Sequence, residues 1–247
     1  MSHSRAHNDL YLSVVAAAYN EAENLPQLVQ EITESVSTLN KKYEVIIVND
    51  GSTDETRTVL LKLMKQYSEL RVMSLKQRAR QSAALEAGLR NSRGEFIATL
   101  DADLQNNPAD IPPMLELVTS GKCDMVNGWR ARRNDPWLRL VSTRVANFVR
   151  NKLTREHIHD SACGLKVFRR ECIAEIKFFN GIHRFLPTLV KMEGYRVLEV
   201  PVNHRPRVAG QAKYGISNRL FRALRDALAV RWMQSRTLKY EFEELEQ

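Results

Sequence analysis

The sequence predicts an α/β protein in which a mostly parallel sheet is flanked by helices. Apolar segments alternate with amphipathic segments through the first hundred residues, which is the pattern of strands joined by helical crossovers. Acidic loops follow several of the apolar segments, and the carboxyl ends of parallel strands form the edge at which ligands bind. The 247 residues are 43% hydrophobic and 27% charged, which is typical of a globular chain.

The amino-terminal part contains four predicted strands and three predicted helices. The strands are apolar runs, which indicates burial on both faces. They are expected at Leu10–Ala18, Tyr43–Val48, Arg71–Leu75 and Glu95–Leu100. The helices are expected at Glu21–Leu39, from caps at Ser52 or Thr53 to about Glu69, and at Gln81–Asn91.

The pattern is less regular after Pro108. Helices are expected at Ile111–Ser120, Pro136–Leu153, His183–Met192 and Ile216–Arg236. Strands are expected at Cys123–Gly128, Lys166–Phe168 and Arg196–Val202. Because no linker divides the chain, residues 10–215 are interpreted as one domain and residues 216–247 as a helical appendage with an acidic tail.

Charge and cysteine content limit the partners and the compartment. The net charge of +8 indicates an anionic partner, and the absence of known nucleic-acid-binding signatures favours a phosphorylated ligand or a membrane surface over nucleic acid. Three scattered cysteines favour a reducing, cytoplasmic setting. Residues 1–9 lack the apolar centre of a secretory signal, and no stretch reaches the roughly 18 apolar residues of a transmembrane helix.

Two carboxylates follow the fourth predicted strand in the stretch TLDADLQNNP, residues 99–108. Asp101 and Asp103 offer oxygen ligands of the kind that Mg²⁺ or Mn²⁺ prefers, and Gln105 can add an amide oxygen. Such ions usually share their coordination with substrate phosphates. The alternative is a capped turn before Pro108, and the spacing alone leaves both interpretations open.

Asp50 follows the second predicted strand, in VNDGSTDET. A carboxylate there can accept hydrogen bonds from a nucleobase or a ribose, or it can be a loop acid, although Asp54 is the better candidate for capping the next helix. The sequence has neither a Gly-x-Gly-x-x-Gly nor a Walker motif, which argues against a Rossmann dehydrogenase and a P-loop enzyme.

Several motifs together resemble a known family. AAAYNEAENL, VIIVNDGSTDET and TLDADLQNNP occur in the order and spacing of family 2 inverting glycosyltransferases of the GT-A fold. GWRARR, STRVANFV, DSACGLKVFRR and EVPVNHRPRVAGQAKYG resemble the branch that transfers sugars to polyprenyl phosphates, which includes dolichol-phosphate mannosyltransferase-like and bacterial undecaprenyl-phosphate enzymes. The likeness covers about Leu10 to Arg236.

The resemblance implies roles for matching positions. The nucleotide would be held by Ala17, Tyr19, Glu21, Asp50, Asp101 and Ala102. The metal ion would be held by Asp103 and Gln105, together with Asp101, which is expected mainly to reach the nucleotide. Phosphates of the donor and the acceptor would be faced by the rest of the expected catalytic set beside Asp103, namely Arg130, Arg144, Arg207 and Lys213.

These roles agree with the chemistry of sugar transfer. Displacement at the anomeric carbon expels a nucleoside diphosphate, whose charge a metal ion and arginines can stabilise. A phosphate acceptor is already an anion and needs no strong base. Asp160 is the candidate if a base exists, and a role in shaping its loop is the alternative. Ala17, Arg80 and Ala212 stand where the family often has proline, glycine and serine, which affects only details of the contacts.

The last predicted helix is amphipathic and basic. Its apolar residues recur at helical spacing, and they are Ile216, Leu220, Phe221, Leu224, Leu228 and Trp232. Such a stripe can lie in a membrane interface with anionic lipids, or pack on the core or on another subunit.

The sequence therefore predicts a metal-dependent inverting transferase that moves a sugar from a nucleotide donor to a polyprenyl phosphate. A UDP-sugar is favoured over GDP-mannose as the donor. The protein is expected at the inner, cytoplasmic face of the membrane as a peripheral protein, with a membrane partner protein or a second copy as further candidate partners. The alternatives are transfer to a glycan or protein hydroxyl, and a non-catalytic nucleotide-binding subunit.

Overall fold

A seven-stranded sheet forms the centre of the protein in a computed structural model that describes residues 10–131, 148, 150–206 and 217–238. In chain order its strands are β1 (Leu12–Ala18), β2 (Tyr43–Asn49), β3 (Leu70–Ser74), β4 (Phe96–Asp101), β5 (Met125–Trp129), β6 (Lys166–Arg169) and β7 (Val197–Pro201). Across the sheet the order is β3-β2-β1-β4-β6-β5-β7. Within the described sheet only β6 runs antiparallel to its neighbours, which confirms the predicted mostly parallel arrangement.

Helices cover both faces of this sheet. They are α1 (Leu25–Ser37), α2 (Thr56–Leu63), α3 (Gln81–Arg90), α4 (Ile111–Thr119), α5 (Leu186–Met192) and α6 (Ser217–Arg236), with 3-10 turns at Pro108–Asp110, Arg170–Ile173 and Ile182–Arg184. Among the described helices, none combines the length and the hydropathy that crossing a bilayer requires.

Two apolar cores result, one on each face of the sheet. Helices α1, α2 and α4 pack on one face, where α1 contributes Leu28 and Ile32. Helices α3, α5 and α6 pack on the other, where α5 contributes Leu186 and Leu189. Because strand side chains alternate between the faces, β1 must be apolar throughout, as its sequence LSVVAAA nearly is.

Three predicted boundaries are wrong. Helix α1 begins at Leu25 and not at Glu21, because the Glu21 carbonyl accepts the N–H groups of both Asn24 and Leu25 in a preceding turn. Helix α2 ends at Leu63 and not near Glu69, while at its start Asp54, the better predicted candidate for the cap, accepts the Thr56 N–H at 3.0 Å. The predicted helix His183–Met192 is divided into the 3-10 turn and α5. The predicted helix Pro136–Leu153 lies mostly outside the described residues, and the part of it that is described, residues 148 and 150–153, is helical.

A buried carboxylate fixes the edge of the sheet opposite the strand-end acids. Glu44 is 2% exposed and accepts hydrogen bonds from Ser13 (2.7 Å) and from the guanidinium groups of Arg71 and Arg93. Burial alone would raise the pKa of Glu44, but these hydrogen bonds outweigh burial and hold its pKa below the ordinary value. This network ties β1, β2 and β3 to the loop that precedes β4.

Candidate active site

The predicted acidic residues meet at one edge of the sheet. Strands β2, β1 and β4 are neighbours, and Asn49 pairs with Ala18 while Ala17 pairs with Asp101. The residues that follow these strands therefore lie side by side at their carboxyl ends. Neighbouring strand ends place Glu21, Asp50, Asp101 and Asp103 at one edge, as predicted.

Side chains lock the loops after β1 and β2 together. The Asn20 N–H donates to Ser52 Oγ at 3.0 Å, and the Thr53 N–H donates to Asn20 Oδ1 at 2.9 Å. Asn20 adopts a left-handed backbone conformation with φ of 53°, which asparagine tolerates better than most residues. The Glu21 carboxylate accepts the side-chain amide of Asn24 at 2.6 Å. The loop that carries Tyr19 and Glu21 is thus fixed before any ligand arrives.

Asp50 anchors a second loop. Its carboxylate is 3% exposed, and Oδ1 accepts the N–H groups of Ala79 (2.7 Å) and Arg80 (3.0 Å). In this loop the Arg78 guanidinium carbon lies 3.9 Å from the centre of the Tyr19 ring, a cation–π contact. The loop role left open for Asp50 is therefore realised, while its contact with a nucleotide remains a prediction.

The Asp101 carboxylate is held on two sides. Its Oδ1 accepts the Gln81 side-chain amide at 2.9 Å. Its Oδ2 packs against Gly164, where a Cβ atom would lie only 2.4 Å away. The next residue, Ala102, is 3% exposed and therefore buried. Glycine at position 164 is thus required by the close approach of the chain to Asp101.

The turn after Asp101 contains the capped turn that was one of the two interpretations of its sequence. Asp103 Oδ1 accepts the Gln105 N–H at 3.3 Å, and Asn107 caps the following 3-10 turn by accepting the Ala109 N–H at 3.2 Å. The Gln105 side-chain nitrogen lies 3.5 Å from the Arg205 carbonyl, so its oxygen is the amide atom suited to a cation. A capped turn is therefore present, and metal binding by its acids remains a prediction.

The donor atoms at this turn fit a divalent ion that shares its coordination with a substrate. Asp101, Asp103 and Gln105 offer carboxylate and amide oxygens, which are the ligands that Mg²⁺ and Mn²⁺ prefer. Across the described ranges, no three His, Cys, Asp or Glu side chains are grouped so that they could hold a metal ion by themselves. An ion here would therefore need further ligands from a bound phosphate.

A row of polar side chains crosses four strands beneath the site. This polar rung consists of Thr99 on β4, Lys166 on β6, Asn127 on β5 and Glu199 on β7, which are paired in register. Each member binds the backbone of loop 159–164. Thr99 donates to the Gly164 carbonyl (2.8 Å), Lys166 to that of Cys163 and Asn127 to that of Asp160 (3.1 Å), while Glu199 accepts the His159 N–H (2.8 Å). The rung therefore sets the shape of this loop.

Loop 159–164 in turn holds Arg130. The guanidinium donates to both oxygens of Asp160, at 2.6 and 2.9 Å, and the two side chains are 12% and 4% exposed. Burial alone would lower the pKa of Arg130, but the hydrogen bond and charge of Asp160 raise its pKa above the ordinary value. Both Asp160 oxygens are thus engaged, which favours the structural role for Asp160. The phosphate contact of Arg130 remains a prediction.

The chain after β7 is anchored beside the acidic turn. Asp110 accepts the backbone and side-chain N–H groups of Asn203 at 2.8 and 2.7 Å. The backbone N–H of Arg205 donates to the Gln105 carbonyl (2.9 Å), and the Arg205 guanidinium forms an ion pair with Glu31 (2.7 Å). Three predicted phosphate-binding residues, Arg144, Arg207 and Lys213, lie outside the described residues.

A small recess opens beside Asp101. Its volume of about 20 Å³ has room for about one water-sized group. Its polar lining includes Asp101, Gln81, Lys166 and His183. Of these four residues, only Asp101 was predicted from the sequence to have a role. A signal was available for Lys166, because a lysine that begins a short apolar strand is unusual.

The sheet order defines an α/β protein of the GT-A fold. The chain belongs to glycosyl transferase family 2, whose signature matches residues 13–177. This confirms the family that the motifs indicated.

Known proteins are similar over most of the chain. It is 36% identical over 225 residues to dodecaprenyl-phosphate galacturonate synthase of Rhizobium johnstonii, and the match covers 90% of this chain and 66% of that protein, slightly under two thirds of its length.

Solved structures share the fold. Glucosyl-3-phosphoglycerate synthase from Mycobacterium tuberculosis, in complex with Mn²⁺, UDP and phosphoglyceric acid, matches 93% of this chain and 80% of that one, with a TM-score of 0.67 and 20% identity. A mannosyltransferase from Pyrobaculum calidifontis, in complex with GDP-Man and Mn²⁺, matches over 90% of this chain and 73% of that one, with a TM-score of 0.61 and 18% identity. At these identities the likeness shows the fold alone.

Proposed function

We propose that the protein is an inverting glycosyltransferase that moves a sugar from a nucleoside diphosphate donor to a polyprenyl phosphate, with Mg²⁺ or Mn²⁺. The observation that carries this proposal is the meeting of Asp50 with Asp101 and Asp103 at the ends of β2 and β4, the two strands that flank β1. The name of the Rhizobium relative, which gives a polyprenyl-phosphate product, supports the class of acceptor.

The residues divide the chemistry between them. The bond between the anomeric carbon and the donor phosphate breaks, and an oxygen of the acceptor phosphate forms the new bond on the opposite face. A bound divalent ion would stabilise the charge that develops on the departing diphosphate. Asp103, Gln105 and Asp101 would hold that ion, and the loop 159–164 keeps Arg130 close to the same edge.

No strong general base is required in this scheme. The acceptor phosphate is an anion near neutral pH, so its oxygen attacks without losing a proton to the protein. This agrees with the state of Asp160, whose two carboxylate oxygens both accept from Arg130. Transfer to a hydroxyl would instead need a base.

The direct experiment supplies the protein with Mg²⁺ or Mn²⁺, a polyprenyl phosphate and a panel of UDP- and GDP-sugars. UDP-sugars are the favoured donors, and UDP-galacturonate belongs in the panel because of the relative's name. Formation of a glycolipid is expected. Nucleotide binding without transfer from any donor would contradict the proposal and support a non-catalytic subunit. Undiminished rates in Arg207→Ala and Lys213→Ala variants would favour a hydroxyl acceptor.

We also propose that helix α6 lies on an anionic membrane surface. The helix packs on the core through Ala227 and Val230, which are at most 1% exposed. A different side carries the interfacial stripe, defined as Leu224, Leu228 and Trp232, which are 40%, 51% and 63% exposed. Residues spaced by four lie on one face of a helix, and the exposed Arg225 and Arg236 add positive charge.

Vesicle sedimentation tests this surface. The double variant Leu228→Ser/Trp232→Ser should bind vesicles that contain phosphatidylglycerol about tenfold or more weakly, since each apolar side chain contributes on the order of 1 kcal/mol. Leu61→Ser on α2, a site 52% exposed, is the matched control and should bind like the wild type. If the double variant binds the vesicles as tightly as the wild type, the stripe does not contact lipid. The same conclusion follows if the only effect of the two substitutions is to separate two copies of the chain.

A further inference from the structure

The turn that carries the predicted metal ligands contains a strained residue. Leu104 lies between Asp103 and Gln105 and has a φ of 59°, in the left-handed region that a leucine rarely adopts. Its side chain is 1% exposed and packs in the apolar core. Such a backbone conformation costs free energy and persists only where the surrounding structure holds it in place. The contacts that hold this turn therefore fix the backbone that carries Asp103 and Gln105.

Arg205 supplies several of these contacts from the chain that follows β7. Its backbone N–H donates to the Gln105 carbonyl at 2.9 Å, and its carbonyl lies 3.5 Å from the Gln105 side-chain nitrogen. Its guanidinium donates through Nη2 to Asn107 Oδ1 at 2.8 Å. Through Nη1 it donates to both carboxylate oxygens of Glu31, at 2.9 and 2.7 Å. The guanidinium therefore forms a bridge between the turn and helix α1.

This bridge depends on the shape of a guanidinium. Its two terminal nitrogens are separate donors in one plane, so one can hold Asn107 while the other holds Glu31. Helix α1 is a firm anchor, because its Leu28 and Ile32 are fully buried in the core. The Arg205 and Glu31 side chains are 37% and 20% exposed, and ion pairs with such access to water contribute little to stability. The bridge is thus better suited to positioning the turn than to stabilising the fold.

We propose that Arg205 is a positioning residue of the transfer reaction, which holds the turn of Asp103 and Gln105 in the geometry that a divalent ion requires. The inference rests on the proposed function, because that function assigns the ion to these side chains. Partners outside the coordination sphere orient the ligands, and their loss weakens metal binding or activity by about 10–100-fold. Arg207, which is predicted to bind phosphate, follows two residues later in the sequence. Arg205 therefore also joins the turn to the segment that leads to Arg207.

The test measures Mn²⁺ binding in the presence of UDP and, separately, of GDP, from the electron paramagnetic resonance signal of free Mn²⁺. In Arg205→Met the dissociation constant of Mn²⁺ should rise about tenfold. Arg205→Lys should lie between this variant and the wild type, since one nitrogen replaces two. Lys191→Met is the matched control, because it removes an ion pair with Glu156 of similar exposure on the other face of the sheet. This control should bind Mn²⁺ like the wild type.

Glu31→Gln tests the bridge without changing Arg205. Its dissociation constant for Mn²⁺ should rise about threefold, as expected for the loss of a partly exposed ion pair. The double variant Arg205→Met/Glu31→Gln should bind Mn²⁺ no more weakly than Arg205→Met alone, because both changes act through the same bridge. In the transfer assay, Arg205→Met should need about tenfold more Mn²⁺ for half of its maximal rate, and saturating Mn²⁺ should restore most of the rate.

Each outcome has a distinct meaning. An unchanged affinity for Mn²⁺ in Arg205→Met overturns the inference, whatever its rate of transfer. Equal weakening in Arg205→Met and Lys191→Met also overturns it, because the effect would then follow from a general loss of stability. A wild type that binds Mn²⁺ and nucleotide but transfers no sugar contradicts the proposed function, while the affinities of the variants still decide whether Arg205 positions the turn. A wild type that binds no Mn²⁺ with either nucleotide contradicts both.

Discussion

Gly164→Ala perturbs the site by a single methyl group. A Cβ at this position would lie 2.4 Å from Asp101 Oδ2, 2.6 Å from its Cγ and 3.0 Å from Asn106 Oδ1, whereas ordinary contacts begin at 3.4 Å. The loop and the carboxylate must therefore separate by about 1 Å. Gly164 is not among the glycines with a left-handed backbone, so the alanine causes no backbone strain and its effect is steric.

A 1 Å displacement of Asp101 should be costly for catalysis and modest for stability. Misplacement of this size lowers rates by about 100-fold, and overpacking costs about 1–3 kcal/mol of unfolding free energy. The assay measures kcat/KM for glycolipid formation, together with thermal melting. The expected result is a variant that is folded at the assay temperature but about 100-fold slower.

Gly88→Ala on α3 is the matched control. There a Cβ would lie 2.4 Å from Val15 Cγ1, the same overlap, but within the apolar core. This variant should melt earlier and keep its rate per folded molecule. If Gly164→Ala loses no more activity than Gly88→Ala, then the packing of Gly164 does not position Asp101, and the reasoning is refuted.

Two further predictions concern buried ion pairs. Glu44→Gln should lower the unfolding free energy by about 1–3 kcal/mol near pH 7. Because the folded-state pKa of Glu44 is lowered, this difference is complete above its ordinary pKa of 4.5 and should disappear as the pH falls through the folded-state pKa. Chemical denaturation at several pH values measures the difference, and a difference independent of pH would contradict this prediction. Asp160→Asn should lower kcat/KM about 100-fold by releasing Arg130, without changing the shape of the pH–rate profile; loss of the acidic limb of that profile would instead identify Asp160 as a base.

The sequence predicts the framework of this protein well because the framework depends on local patterns. Continuous apolar runs identify strands buried on both faces, and the acids that follow β2 and β4 then fall at one edge of the sheet. The boundaries of α1 and α2 were wrong by a few residues because turn contacts, such as Glu21 to Leu25, compete with the helix.

The supports of the site are not predictable in the same way, because they join residues far apart in the chain. The contact of Asp101 with Gly164, the pair of Arg130 with Asp160 and the polar rung beneath them depend on how β4, β5, β6 and β7 are ordered. The motif around Lys166 was recognisable, but its burial beside the recess follows only from tertiary structure.

The central claim is that the acids at the ends of the strands hold a metal ion and a diphosphate for sugar transfer to a lipid phosphate. The most direct measurement compares the wild type and Asp103→Asn for glycolipid formation, with and without Mg²⁺ or Mn²⁺. We expect transfer by the wild type only with the ion, and a loss on the order of 1,000-fold in the variant at an unchanged melting temperature. A fully active Asp103→Asn variant, or a wild type that is equally active after chelation, would contradict the claim.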